Sequence, residues 1–411
     1  MTQKNPDFNS RPVYILERLV YLILIISVLV LNSCSVGKYP RPATFGERVM
    51  TNIGYTADTM CAFLYKLSLG GKPGYDINRQ MVQIDNYMFY ADDRFYTNPD
   101  KFYSLPDKLP LMKSKILENT KQYSVILLSW QSQYSPLNSK FQPLYQLYSE
   151  NHTAYAVLYK AKKKNCGAMV FLHGWTGGDI TKSRKGENLE RFLALGYDVA
   201  LLQHPYHGLR TPIDSKFSGE YFISGEISRM NEAMRQAVTD TLSLYNYLRE
   251  DYQVVGVRGS SLGGTTALNT AVIKNDLDFV IALAPFSELS EIREDTKFTS
   301  YVAKGMERSG LKKEILNRVL HTINPANYTP GIPKQNILLI AGMGDNFVPP
   351  AQTLKVWEAW EHPLIHWYPG GHVIRFYNKE SMEIENDFLL NHLKKRTLSY
   401  HGIHKKKQVE Q

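Results

Sequence analysis

The chain has 411 residues, of which 43% are hydrophobic and 21% charged, and 48 Lys and Arg against 39 Asp and Glu give it a formal net charge of +9. Such a length buries a large core and leaves room for an accessory segment, and the ordinary composition excludes disordered and collagen-like classes. Part of the positive excess is local, at 162–164, 394–396 and 405–407. These runs read as solvated surface, with attraction to an anionic membrane as the sharper alternative, and no nucleic-acid-binding motif accompanies them. Three cysteines, Cys34, Cys61 and Cys166, are too few for a disulfide framework and lack metal-site spacing.

Residues Leu19 to Leu31 form an apolar run, polar only at Ser27, that follows Lys4, Arg11 and Arg18. The run is shorter than the ~20 residues of a bilayer-spanning helix. A basic segment followed by a short apolar one is the pattern of a signal peptide. Leu31-Asn32-Ser33-Cys34 resembles the bacterial lipoprotein signal, and the resemblance implies lipid attachment at Cys34 after cleavage. A single N-terminal transmembrane anchor is the alternative. Either way the chain is expected to be exported and held at a membrane, on a periplasmic or cell-surface face.

Next, Thr51 to Leu69 is predicted helical, with Ile53, Ala57, Met60, Leu64 and Leu67 at helical spacing, and Gly70-Gly71-Lys72-Pro73-Gly74 breaks it. Arg79 to Tyr103 is rich in Tyr and Phe, a pattern that reads as core packing. From Tyr123 onward strands and helices alternate. Tyr123–Ser129 and Ala154–Lys160 are expected to be strands. Short apolar runs at 167–172, 198–202, 254–257, 279–284 and 337–341 read as strands buried on both faces of a parallel sheet. Ile227–Arg249 carries an apolar stripe through Met230, Ala233, Met234, Ala237, Val238, Thr241, Tyr245 and Leu248. This alternation predicts an α/β fold with a doubly wound, mostly parallel sheet and its site at the carboxyl ends of the strands. Pro285 to Pro333 interrupts it with helices such as Lys312–Leu320, as a cap over a site would.

Gly259-Ser260-Ser261-Leu262-Gly263 follows the strand at 254–257 and opens a helix at Leu262. This is G-x-S-x-G in a strand–turn–helix context. The nucleophile sits on a sharp, strained turn, and side chains two residues either side would collide with strand and helix. Glycines at 259 and 263 fit Ser261; choosing Ser260 would put Arg258 and Leu262 at the crowded positions. A serine hydroxyl needs an adjacent base. His372, in Pro369-Gly370-Gly371-His372 after the strand-like Leu364–Tyr368, is the candidate, with His362 and His366 as competitors. A carboxylate must orient that histidine. Asp345, at the end of the buried strand in Gly342-Met343-Gly344-Asp345, is the candidate, with Glu288, Glu291 and Asp295 as fallbacks. The order Ser, Asp, His is that of α/β-hydrolases.

The stretch from about Tyr123 to Leu393 resembles the α/β-hydrolase superfamily of serine esterases and lipases. Phe171-Leu172-His173-Gly174-Trp175 is similar to its oxyanion loop, Gly342 to Pro349 to its acid loop, and Gly371-His372 to its histidine loop. The resemblance implies an oxyanion hole made by the backbone N–H groups of Trp175 and Leu262. His204 and His207, in a loop similar to one in the superfamily, lack the further ligand a metal site needs, and Arg210 reads as a structural ion pair.

The expected domains are a signal peptide or anchor at 1–33 and an aromatic-rich, mostly helical extension at 34–121. The α/β-hydrolase catalytic domain follows at 122–397, with a helical insertion at 286–333, and a basic tail closes the chain at 398–411. The expected function is hydrolysis of carboxylic esters, small-molecule or lipid, through an acyl-enzyme, with no cofactor and no metal. An acyltransferase or amidase with the same triad, or a non-catalytic surface binding protein on a hydrolase fold, are the alternatives.

Overall fold

The computed structural model describes residues 40–68, 84–178, 189–224, 226–291, 311–376 and 379–409. The apolar run at 19–31, Cys34, the glycine-rich break at 70–74 and Asp295 lie outside them. Among the described residues no helix is long and apolar enough to cross a membrane.

The apolar runs become strands because their residues are buried on both sides of one sheet. In chain order the strands are β1 (Lys113–Asn119), β2 (Tyr123–Gln131), β3 (Thr153–Ala161), β4 (Gly167–Leu172), β5 (Tyr197–Leu202), β6 (Val254–Ser260), β7 (Val280–Leu283), β8 (Ile337–Gly342) and β9 (Leu364–Tyr368). They form one nine-stranded sheet in the order β1-β2-β3-β5-β4-β6-β7-β8-β9. The pairs from β1 to β5 are antiparallel, and those from β5 through β4 to β9 are parallel. The order reverses at β4, which lies between β5 and β6. That reversal opens a crevice at the strands' carboxyl ends, where such sheets bind ligands.

The larger helices are α1 (Phe45–Ser68), α2 (Leu189–Leu195), α3 (Ile227–Arg249), α4 (Leu262–Ile273), α5 (Lys313–Val319), α6 (Pro350–Ala359) and α7 (Lys379–Val409). Period-two alternation along β4 divides the core. Ala168, Val170 and Leu172 pack with Leu244 and Leu248 of α3, Leu268 of α4 and Val356 of α6. Met169 and Phe171 pack with Phe192 of α2 and Phe388 and Leu389 of α7. The doubly wound, mostly parallel α/β sheet expected from the sequence is therefore present.

Two boundaries move. The sheet begins at β1, ahead of the expected domain start at 122, because β1 pairs with β2 from Lys113 to Asn119. The aromatic segment belongs to the same core: Tyr87, Tyr90, Phe95, Phe102 and Tyr103 pack on Met230, Ala233, Met234 and Ala237 of α3. In the expected insertion, the described part is 311–333 with α5, beside the first residues at 286–291.

Strand β6, which leads into the Gly259–Gly263 turn, is tied to α7 by charge. Glu385 accepts from Arg258 Nε of β6 at 2.7 Å and also pairs with Arg191 of α2. Burial alone would raise the Glu385 carboxyl, but the Arg258 and Arg191 guanidinium groups outweigh it and hold it below the ordinary range. A lowered carboxyl contributes stability at neutral pH that is lost as the pH falls through its folded value. Glu385→Ala leaves buried Arg258 without this partner. It is expected to cost about 3–5 kcal/mol of stability, measured as a lower urea midpoint at pH 7.

Candidate active site

Ser261 sits between β6 and α4 with φ 56° and ψ −118°, a region that side-chain-bearing residues rarely occupy. Its N–H donates to Leu283 O of β7 at 2.7 Å, which fixes the turn. The flanking glycines are sterically required. A Cβ on Gly259 would lie 2.0 Å from Gly263 O, and one on Gly263 would lie 2.2 Å from Leu172 O. Ser261 is 7% exposed. Ser260 has a different environment: its hydroxyl accepts from Arg375 at 3.0 Å.

Asp345 follows β8, in a loop paired to the one after β9 through Met343 N–H to Tyr368 O and Gly344 N–H to Gly370 O. Its Oδ1 accepts from Phe347 N–H at 3.0 Å and Val348 N–H at 2.7 Å. Its Oδ2 lies 2.7 Å from His372 Nδ1. A carboxylate in this position only accepts, so Nδ1 carries the hydrogen and Nε2 is left with a free lone pair. Asp345 is 1% exposed and His372 16%, so the site meets solvent on the histidine side.

The loop after β4 lies against Ser261. A Cβ on Gly174 would come within 3.4 Å of Ser261 Cβ, and Gly177 N–H closes a turn onto Gly174 O. Trp175 sits in that turn, with its indole N–H donating to Gly219 O. Leu262 is the first residue of α4, where a helix leaves its N–H groups without intrahelical partners. Beneath the loop, His173 packs edge-to-face on His204 and His207, with ring centroids 4.7 and 4.9 Å away. Burial lowers the pKa of His173 to about 4 and those of the other two well below the ordinary value. The trio is therefore neutral packing, and among the described residues no cluster of His, Cys, Asp or Glu is arranged to hold a metal ion.

The competing residues are engaged elsewhere. His366 contacts Ser381 Oγ at 2.8 Å and His362 lies on Trp357. Glu288 and Glu291 pair with Lys355. Arg210 pairs with Asp240 at 2.8 Å, both fully buried.

Two residues at the site escaped sequence reasoning. Arg375 donates to His372 O at 2.9 Å as well as to Ser260, linking the histidine loop to the elbow. Asp58 of α1 accepts from Asn346 N–H in the acid loop at 2.9 Å and, in the histidine loop, from His372 N–H at 2.7 Å and Val373 N–H at 2.9 Å. The expected apolar stripe of α1 coincides only in part with its buried face: Ala57 is buried and Ile53 and Met60 are half-buried, but Leu64 is 51% exposed, while Thr51, Gly54, Asp58 and Ala62, outside the stripe, are buried. The backbones come too close for larger residues: a Cβ on Gly54 would lie 2.0 Å from Gly371 N. A glycine inside a helix, which costs about 1 kcal/mol there, was the available signal of such an approach.

Residues 230–396 match the model of the Prolyl oligopeptidase family. Two Mycobacterium tuberculosis proteins described as uncharacterized, from strains CDC 1551 / Oshkosh and ATCC 25618 / H37Rv, are 28% identical over 243 residues, 56% of this chain and 55% of theirs. The chain thus spans about half the length of the curated relatives it matches. Acetyl xylan esterase 1 from Thermoanaerobacterium sp. JW/SL YS485 superposes with TM-score 0.50 at 14% identity, over 77% of this chain and 99% of that one. An acetyl xylan esterase from Paenibacillus sp. R4 gives TM-score 0.50 at 11% identity, over 74% and 99%. These likenesses carry the fold, and with the family match they support a serine hydrolase as the broad class.

Gly263→Ala tests the elbow. The methyl has to displace a strand carbonyl, and overpacking of this kind costs about 1–3 kcal/mol. A lower thermal midpoint, with loss of labelling by a fluorophosphonate in the fraction that stays folded, is the expected result.

Proposed function

We propose that this chain is a member of the α/β-hydrolase superfamily that hydrolyses carboxylic esters with Ser261 as nucleophile, His372 as general base and Asp345 as the acid that orients it. The observation that carries this reading is the pairing of a strained serine elbow with a histidine whose Nδ1 is held 2.7 Å from a buried carboxylate. His372 Nε2 takes the proton of Ser261 as Oγ attacks the ester carbonyl. The tetrahedral oxyanion is met by the N–H groups of Trp175 and Leu262, donors whose individual loss costs ~10²–10³ in rate at sites of this kind. The protonated His372 then gives its proton to the departing alcohol, leaving Ser261 acylated. Water, deprotonated by the same histidine, releases the acid and restores the serine.

Ester rather than peptide cleavage is favoured by the two structures of acetyl xylan esterases that share the fold. Amide cleavage is the second reading, favoured by the match to the Prolyl oligopeptidase family. Transfer of the acyl group to an alcohol or amine would use the same intermediate. Tethering at a membrane through the 19–31 run, with lipid on Cys34, is part of the proposal and rests on the sequence alone. Mass analysis of the membrane-extracted protein decides it: a diacylglyceryl-modified N-terminal Cys34 supports lipidation, and an intact Met1–Cys34 segment overturns it.

A fluorophosphonate probe is expected to modify Ser261, with Ser261→Ala abolishing the adduct and lowering p-nitrophenyl acetate turnover by about 10⁴–10⁶. His372→Ala is expected to slow labelling by a comparable factor. Full esterase activity in Ser261→Ala would falsify the assignment, and faster turnover of an aminoacyl arylamide than of esters would favour the peptidase reading.

A further inference from the structure

We propose that Asp58 is a positioning residue of this site. Its carboxylate keeps the acid loop and the histidine loop in the register where Asp345 meets His372, and so makes turnover depend on α1. The inference rests on the proposed triad.

The geometry has three parts. Asp58 Oδ2 accepts simultaneously from Asn346 N–H, next to the acid, and from His372 N–H, the base's own amide, while Oδ1 takes Val373 N–H. One carboxylate thus clamps two loops that belong to different strands. Next, the helix is seated by backbone approaches that tolerate no side chain: Gly54 lies against Gly370 and Gly371, and Gly344 against Thr51 O. Finally, Asp58 is 1% exposed, so water cannot replace it as acceptor for the three N–H groups without the helix moving.

The clamp is also titratable. Burial, then the neighbouring Asp345 carboxylate, raise Asp58 from the ordinary 3.8 to about 6, against the opposing pull of the N–H groups of Asn346 and His372 and of the His372 charge. The other ionisable groups facing it are Cys61 on its own helix and Tyr368 of β9, with Arg375 beside Tyr368. A proton on Oδ2, which already accepts two N–H groups, breaks an arm of the clamp, and a proton on Oδ1 weakens its acceptance from Val373 N–H. The sign separates this from acid unfolding. The folded chain holds that proton more tightly than the unfolded one between pH 3.8 and about 6. The group's contribution to stability therefore rises as the pH falls through this window, while activity falls.

The test uses the full chain, with p-nitrophenyl acetate turnover and the downfield proton resonance of His372 Nδ1–H, assigned by its loss in His372→Gln. Wild type is expected to lose kcat on the acid side with a limb steeper than one proton, since Asp58 adds to the proton His372 takes as base, and without unfolding by circular dichroism. Asp58→Asn, which keeps the shape but presents a donor to one N–H, is expected to lower kcat about tenfold to a hundredfold with KM within about twofold. Its acid limb should follow one proton, and its Nδ1–H resonance should broaden or move upfield. Gly54→Ala, which keeps the Asp58 side chain but pushes α1 and its carboxylate away from the two loops, should do the same to kcat and to the resonance. A one-proton acid limb in wild type, or Asp58→Asn with wild-type kcat and an unchanged resonance, overturns the proposal. If wild type turns over no ester, the triad reading fails, and the resonance in the two variants still decides whether Asp58 sets the geometry of the pair.

Discussion

The backbone at residue 263 lies against the carbonyl of Leu172, with room for a hydrogen but not for a methyl. Most of the architecture serves that approach. To bring α4 down onto the carboxyl end of β4, the chain must turn within one residue, which places Ser261 at positive φ at a cost of about 1–3 kcal/mol. A turn of that kind persists only where its surroundings fix it. Here β6 lies between β4 and β7, Ser261 N–H is held by Leu283 O, and Arg258 is anchored from beneath by Glu385.

What could be read from the sequence follows from how each element is buried. Strand β4 coincides with the run expected at 167–172, because a strand enclosed by its neighbours in a parallel sheet shows as a bounded apolar run, and β9 coincides with the run at 364–368 although it is the sheet's edge and Leu364 is exposed. Strand β1 carries no such mark. All seven of its residues are exposed, so its membership of the sheet is decided by pairing with β2 alone. The elbow, acid and histidine were legible because each sits on a loop whose glycines record a steric demand. The clamp was not. Asp58 and His372 are separated by 314 positions, and an aspartate on a helix reads as a solvated residue until its partners are known.

The same difference governs α3. Its apolar stripe is buried as expected, yet Glu232, Arg235, Gln236, Thr239 and Asp240 are buried too, because the helix lies between the sheet and the aromatic segment. Burial of these groups is tolerable only with partners. Tyr90 and Tyr134, kept protonated by burial and by the carboxylate they face, donate to Glu232, which also accepts from Leu137 and Asn138 N–H. Arg235 donates to Phe102 O and Ser135 O. Asn151, followed by His-Thr in a glycosylation-like triplet, is likewise buried and bonded to Tyr206 and Arg210, so the triplet is a packing feature.

These contacts change what the segment ahead of β1 is. An accessory module would meet the hydrolase across a surface that is complete without it. Here α3 relies on the aromatic segment for acceptors and donors inside the core, and the acid and histidine loops rely on α1 for the acceptor of three N–H groups. Removing the segment would leave buried polar groups unsatisfied at both places, each at about 1–3 kcal/mol, and would open the loops that hold Asp345 against His372. The two dependencies differ in kind. The aromatic segment supplies neutral hydroxyls and apolar area, which stabilise over a wide pH range, whereas α1 supplies a carboxylate whose charged form is disfavoured by its own burial. Asp58 is thus held at a cost in folding and placed on the backbone of both loops, which ties the helix that carries it to the geometry of the candidate site.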